Sequence, residues 1–279
     1  MSGPRACVTG YRIAYSRSPM LHGYWLKSLG IEGSYELADI APADYPDFLR
    51  SLRRNGYVGC NVTVPHKEAA FRAVDKRDAA AAAIGAVNTI WYERDTLVGS
   101  NSDAYGFLAH LDAAVPGWDT EARFAVVLGA GGAARAVVYA LLTRIGSVQV
   151  VNRTLNRAQD LATHFGANVT AHDYKDLPQL LPQADLLVNA TSLGATGNAP
   201  LEINLAGLKA GAIVYDIVYV PLETELLKVA KARGHRTVDG LGMLLHQGVP
   251  GFARWFGVTP PVTAELRALI EADIRAKGR

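Results

Sequence analysis

The segment 126–135, Val-Val-Leu-Gly-Ala-Gly-Gly-Ala-Ala-Arg, constrains the fold of this chain more than any other stretch. An apolar run at 124–128 has the character of a buried strand; it runs into glycines and then into an apolar helical run at 133–145. Strand, tight turn and helix in that order put Gly129, Gly131 and Ala134 on the G-x-G-x-x-A spacing of a dinucleotide-binding turn. Gly129 permits the reversal, Gly131 lets backbone approach a pyrophosphate, and Ala134 lets the helix pack close to the strand. The helix N-terminus adds free N–H groups and a partial positive charge. A loop that only makes a tight turn would share these glycines. The flanking strand and helix favour a nucleotide cradle formed by Gly129, Ala130, Gly131, Gly132 and Ala133.

At 279 residues the chain has length for two domains, and 49% hydrophobic residues supply their cores. A net charge of +2 with no Lys/Arg block argues against a nucleic-acid partner. Cys7 and Cys60 fit no metal or redox spacing, so no metal is expected and a reducing compartment is. Residues 1–10 lack the apolar core of a signal peptide, and no apolar run approaches the roughly 20 residues that span a bilayer. These totals lead to the expectation of a soluble intracellular, cytoplasmic enzyme with no membrane partner.

Residues 6–14 read as a strand interrupted by Gly10. Pro19 suits the first position of a helix running to Gly30, with Ser18 as N-cap. Ser16 and Ser18, two apart in an extended segment, would face one side and could receive a carboxylate. Taken alone, that segment is read more simply as a cap and a solvated serine. A strand at 34–40 and an amphipathic helix at 43–55 closed by Gly56 follow. Next come Asn61-Val62-Thr63-Val64-Pro65-His66-Lys67, where alternation sends Val62 and Val64 to one face and Asn61 and Thr63 to the other. Pro65 would open a helix with Lys67 in its first turn, where the helix dipole disfavours a cation. Chemistry or chance could put it there.

An alanine-rich helix at 78–85 precedes a hairpin, with strands at 86–92 and 96–99 around the turn Glu93-Arg94-Asp95. Asn101, Ser102 and Asp103 are all capping residues for the helix 104–114, so Asp103 has a plain structural role available. Pro116-Gly117 ends that helix near the expected domain joint. After the glycine turn, a second strand at 147–151 leads to Asn152-Arg153-Thr154. An NAD binder carries an acidic residue about 20 positions after the glycine turn to take the ribose 2′-hydroxyl. Arg153 stands there instead, with Arg157 one helical turn on and Thr154 as cap, which suits the 2′-phosphate of NADP. A solvated face is the plainer alternative. Strands at 185–189 and 212–218, the helix 224–233, a helix at 239–255 and a terminal helix at 262–276 complete a βα alternation. That alternation implies an α/β protein with a parallel, doubly wound sheet.

Taken together, the motifs resemble the shikimate dehydrogenase family. They are Tyr15-Ser16-Arg17-Ser18-Pro19, 61–67, Gly85-Ala86-Val87-Asn88-Thr89, Asn101-Ser102-Asp103, 129–135 and Asn152-Arg153-Thr154. After these come Asn189-Ala190-Thr191-Ser192, Tyr215-Asp216 with Tyr219 and Pro221, and Gly240-Leu241-Gly242-Met243-Leu244 with Gln247. The resemblance implies reversible NADP-linked oxidation of shikimate to 3-dehydroshikimate, on the way to chorismate and the aromatic amino acids. It implies a substrate domain of residues 1–103 plus 239–279 and a Rossmann NADP-binding domain of 104–238, with the active site in the cleft. By motif position, Ser16 and Ser18 would hold the substrate carboxylate, which reverses the simpler reading of those serines. Thr63, Asn88 and Gln247 would hold ring hydroxyls, Tyr219 would line the pocket, and Lys67 and Asp103 would form the catalytic pair. Gly240 and Met243 would lie near the nicotinamide. A monomer or homodimer is expected.

The chain departs from the family pattern at Gly10-Tyr11-Arg12, at Tyr15, at Gly23 and at Ala104 after Asp103. None of these removes a catalytic group, but several lie beside the substrate motifs. A quinate/shikimate dehydrogenase or an amino-shikimate relative is therefore an alternative. A methylenetetrahydrofolate dehydrogenase is disfavoured by the paired serines and Asn101-Ser102-Asp103. A non-catalytic NADP-binding regulatory protein would have no need to keep Lys67 and Asp103.

Overall fold

The computed structural model describes residues 3–278; Met1 and Ser2, which open the stretch considered for a leader, and Arg279 at the end of the terminal segment lie outside the described residues. The chain divides into two compact units. The first holds the described residues through Tyr105 together with Leu245–Ile270; the second holds Gly106–Leu244 and the described residues from Glu271 onward.

The first unit opens with β1 (Arg5–Gly10), α1 (Ser18–Ser28), β2 (Ser34–Asp39), α2 (Tyr45–Ser51) and β3 (Tyr57–Val62). It continues through α3 (Lys67–Ala73), β4 (Lys76–Arg77), α4 (Ala79–Ile84), β5 (Thr89–Glu93) and β6 (Thr96–Ser100) to the start of α5 (Asp103–Ala114). Its six-stranded sheet has the order β2-β1-β3-β5-β6-β4, with β1 parallel to β2 and β3, and the β5–β6 hairpin antiparallel. Alanine-rich α4 is capped at both ends: Asp78 accepts the Ala81 N–H, and Gly85 closes the helix in a left-handed conformation.

Three local expectations need correction. Helix α1 begins at Ser18, with Arg17 in the cap position and in helical backbone, so Ser18 is not the N-cap and 16–18 is not extended. Strand β3 ends at Val62, and the alternation lapses there: Val62 is buried while Val64 is 65% exposed in the turn that follows. Pro65 lies in that turn, and α3 starts at Lys67 itself.

The second unit has α6 (Trp118–Glu121), β7 (Phe124–Leu128), α7 (Gly132–Leu142), β8 (Ser147–Val151), α8 (Leu155–Phe165) and β9 (Val169–His172). After these come α9 (Leu177–Leu180), β10 (Leu186–Asn189), β11 (Ile213–Asp216), α10 (Glu225–Ala232) and β12 (Arg236–Val238). All six strands are parallel, in the order β12-β11-β10-β7-β8-β9. That is the doubly wound order in which the chain reverses direction between its first and fourth strands, and ligands bind beyond the carboxyl ends at such a point. Valines and leucines of β7, β10 and β11 are buried on both faces, as a covered parallel sheet requires. Strands β9 and β12 had no sequence expectation.

Two helices remain, α11 (Leu241–Phe256) and α12 (Ala264–Lys277). The later part of α11 belongs to the first unit. There Trp255 donates its indole N–H to the Ile90 carbonyl at 2.9 Å. Gly59 leaves the room for it: a Cβ at that position would stand 2.2 Å from the Trp255 nitrogen. Among the described residues, no helix is long and apolar enough to cross a membrane, and no cluster of three metal-ligating side chains exists.

Candidate functional site

Within the first unit, the amino ends of α3 and α5 present opposite charges. Lys67 is the first residue of α3, where its own helix disfavours a cation; Asp103 is the first residue of α5, where an anion is favoured. Lys67 Nζ donates to Asp103 Oδ2 at 2.6 Å, and the pair is partly shielded, the lysine side chain 30% and the carboxylate 12% exposed. Asp103 does not cap its helix, because Asn101 takes that duty: the Asp103 N–H donates to Asn101 Oδ1 at 3.0 Å. Both oxygens of Asp103 are thereby left for side chains. Its Oδ1 accepts from Asn88 Nδ2 at 2.7 Å.

The orientation of Asn88 follows from its neighbours. The backbone N–H of Ser102 donates to Asn88 Oδ1 at 2.8 Å, and the hydroxyls of Thr89 and Ser102 lie 2.9 and 3.1 Å from the same oxygen. The amide nitrogen must therefore face Asp103, and it also reaches Gln247 Oε1 at 3.5 Å. Further back, Asn61 Nδ2 donates to Thr89 Oγ1 and to the Asn88 carbonyl, both at 3.2 Å, and Tyr35 donates its hydroxyl proton to Asn61 Oδ1 at 2.6 Å. His22 stacks on Tyr35 with ring centroids 3.9 Å apart, and complete burial depresses its pKa to about 3. The structure thus joins four of the expected site residues, Lys67, Asp103, Asn88 and Gln247, in one hydrogen-bonded group. Tyr35, Thr89 and Ser102, none of them assigned a site role from the sequence, stand behind it.

Of the other expected substrate residues, Ser18 reaches the same network through a side-chain hydrogen bond with Tyr35. Ser16 Oγ accepts the Ser18 N–H at 3.4 Å, and both serines are half-buried. Thr63 is held by its N–H on the Thr9 carbonyl at 2.9 Å, and its methyl group sits where a Cβ on Gly10 would come within 2.6 Å. Tyr219 lies after β11, half-buried.

In the second unit the glycine turn borders a cavity of about 880 Å³. Gly129, Ala130, Gly131, Gly132, Ala133, Asn152, Arg153 and Arg157 all line it; Thr154, Gly240 and Met243 do not. Gly129 has φ +108, which a side chain would strain, and a Cβ there would meet Thr191 at 2.9 Å. Above Gly131 and Gly132 the space is open. Thr154 is the residue before α8, but its side chain makes no capping hydrogen bond. The rest of the lining comes from 190–193 and 199–202 and from Tyr174, none of which the glycine spacing could have indicated. Open backbone at a helix N-terminus and two guanidinium groups on one wall fit the pyrophosphate and 2′-phosphate of NADP. Gly240 has a different reason to be glycine: a Cβ there would lie 2.2 Å from the Ile217 carbonyl oxygen.

Comparison with known proteins gives three family matches along the chain. Residues 8–90 match the shikimate dehydrogenase substrate binding domain, 110–197 the shikimate / quinate 5-dehydrogenase family, and 240–270 the shikimate 5′-dehydrogenase C-terminal domain. A protein of Mesorhizobium japonicum named shikimate dehydrogenase (NADP(+)) is 57% identical over 274 residues, 98% of each chain. Among solved structures, the shikimate 5-dehydrogenase of Thermus thermophilus in complex with NADP(H) and shikimate superposes with a TM-score of 0.84. It is 38% identical, over 98% of this chain and 99% of its own. The quinate dehydrogenase of Corynebacterium glutamicum in complex with NAD gives a TM-score of 0.88 at 30% identity, over 97% of this chain and 99% of its own.

Proposed function

The chain belongs to the shikimate dehydrogenase family, and we propose that it is the NADP-dependent oxidoreductase that interconverts shikimate and 3-dehydroshikimate on the way to chorismate and the aromatic amino acids. The observation that carries the chemistry is the Lys67 amino group held 2.6 Å from a carboxylate that is itself fixed by Asn88. In that setting Lys67, as the neutral amine, takes the proton from the substrate hydroxyl on oxidation and becomes the ammonium paired with Asp103, and as the ammonium it returns that proton on reduction. Asp103 keeps the amine aimed, and the oriented Asn88 amide with Gln247 offers hydrogen bonds to ring hydroxyls. Ser16 and Ser18 are assigned the substrate carboxylate, Thr63 a further hydroxyl and Tyr219 the pocket wall.

Bound at the glycine turn, NADP supplies the hydride acceptor or donor. Gly129 through Ala133 would hold its pyrophosphate, with Asn152, Arg153, Thr154 and Arg157 toward the 2′-phosphate and Gly240 and Met243 toward the nicotinamide. Substrate recognition is assigned to residues 1–103 with 239–279, and cofactor binding to 104–238. A cytoplasmic monomer or homodimer completes the reading, with light scattering to fix the oligomeric state.

The test is a steady-state assay following nicotinamide absorbance with shikimate and with quinate, each with NADP and with NAD. The expected result is the highest kcat/KM for shikimate with NADP, since that ratio measures specificity. A higher ratio for quinate or for NAD would overturn the assignment.

A further inference from the structure

Asp216 has no role in the chemistry above, yet it is a carboxylate only 1% exposed at the last position of β11. It stands in register with Asn189, the last residue of the neighbouring strand β10. Asp216 Oδ1 accepts from Asn189 Nδ2 at 2.9 Å and from the Val218 N–H at 3.0 Å. Its Oδ2 accepts from the Thr224 hydroxyl at 2.7 Å. Each carboxylate oxygen thus serves a different element: Oδ2 the cap of α10, and Oδ1 the segments after β10 and β11.

Asn189 uses all of its hydrogen-bonding capacity. Besides Asp216, its nitrogen donates to the Leu193 carbonyl at 3.2 Å, while its oxygen accepts from the Thr191 N–H at 3.1 Å and the Thr191 hydroxyl at 2.7 Å. The Leu193 N–H closes the loop on Thr191 Oγ1 at 3.1 Å. The loop 190–193 is therefore shaped around one amide whose orientation is dictated from behind. This loop is a wall of the nucleotide cavity, and it is the element packed against Gly129. It leaves β10 where β10 lies beside β7, the two strands between which the sheet order reverses.

We infer that Asp216 is a positioning residue for NADP: it sets the Asn189 side chain, and Asn189 sets the loop 190–193 against the glycine turn. This rests on the reading that the glycine-turn cavity holds NADP. Without the carboxylate, Asn189 Nδ2 is buried short of an acceptor and free to rotate, which releases Thr191 and Leu193 together. An asparagine can replace the aspartate, because its oxygen can take the Asn189 and Val218 donors while its nitrogen donates to the Thr224 hydroxyl.

The experiment is calorimetric titration of NADP+ into the wild-type protein and into Asp216→Ala, Asp216→Asn and Thr224→Val, each also melted thermally. Asp216→Ala is expected to weaken NADP+ roughly tenfold, the worth of one charge-assisted hydrogen bond, and Asp216→Asn to bind like wild type. Thr224→Val is expected to lower Tm through the cap of α10 and to keep NADP+ affinity. Wild-type affinity in Asp216→Ala would overturn the inference, as would an equal loss in Thr224→Val, which would make the effect one of general stability. If Asp216→Ala does not fold, Asn189→Ser cuts the same link from its other end and is judged by the same comparison. Failure of the wild-type protein to bind NADP+ would instead overturn the nucleotide reading, and is seen before any variant is compared.

Discussion

In the first unit the hydrogen bonds run from Tyr35 through Asn61, Thr89 and Asn88 out to an ion pair whose lysine side chain is 30% exposed. In the second they start at the buried Asp216 carboxylate and run through Asn189 to Thr191 and the backbone of 190–193. The first network ends on a proton-bearing group; the second ends on the wall of a cavity whose near side is glycine backbone and arginine. A side-chain amine held by a carboxylate suits proton transfer, whereas a shaped backbone beside two exposed guanidinium groups suits holding phosphates. The two regions should therefore fail in different ways, one in turnover and the other in cofactor affinity and choice.

The largest effect should come from Lys67→Ala, with kcat lowered by about 10²–10⁴-fold, the usual worth of a positioned acid–base group. NADP+ affinity by titration should stay unchanged. Near-normal turnover would remove the contrast between the regions altogether. On the other side, Arg153→Asp replaces the cation proposed to take the 2′-phosphate with an anion that favours a ribose hydroxyl. The ratio of kcat/KM for NADP over NAD should fall by roughly 100-fold, as the loss of two charge-assisted bonds implies. A drop in kcat with both cofactors, at an unchanged ratio, would mean that Arg153 acts on the chemistry rather than on cofactor choice.

How much of this could be read in the sequence depended on whether the signal was local. The glycine turn was legible because its spacing, its strand and its helix all fall within about 20 consecutive positions, and all five cradle residues line the cavity. Lys67 stood out because it breaks a local rule, a cation at the positive end of a helix. The carboxylate that offsets it was concealed by another local rule: Asp103 reads as an N-cap, and only the structure shows Asn101 taking that position. Val64 misled because period-two alternation was carried past the end of β3. Ser18 misled because a serine before proline matches a cap, while helical backbone at Arg17 starts the helix one residue earlier. The Asn189–Asp216 link, 27 positions apart in the chain, becomes visible only when β10 and β11 are known to be neighbours in register.

If charge in the first unit is confined to the outward end of its network, His22 at the far end must stay neutral through the physiological range. Burial lowers its pKa from 6.5 to about 3, so the unfolded chain takes up this proton first as the pH falls. Stability from the neutral ring is present above about pH 6.5 and is lost as the pH falls toward about 3, by up to about 1.4 kcal/mol per pH unit. Denaturant titrations at several pH values should show that His22→Phe, which keeps a ring against Tyr35, flattens the stability profile in that window. An identical slope in wild type and variant would mean that His22 is charged in the folded protein.

The smallest expected effect is that of Tyr35→Phe, which tests whether the network matters beyond its charged end. Removing the hydroxyl takes the 2.6 Å donor from Oδ1 of the half-buried Asn61, at a cost of about 1 kcal/mol, the net worth of one hydrogen bond. Asn61 still has its nitrogen on the Asn88 carbonyl and Thr89, and Asn88 is still held by the Ser102 N–H, so the Lys67–Asp103 pair should keep its place. Stability should therefore fall while kcat stays within a fewfold of wild type and KM for shikimate rises modestly. If kcat instead falls as far as in Lys67→Ala, the backbone bond from Ser102 is not enough to aim Asn88. The hydroxyl of Tyr35 would then belong to the catalytic arrangement rather than to the support behind it.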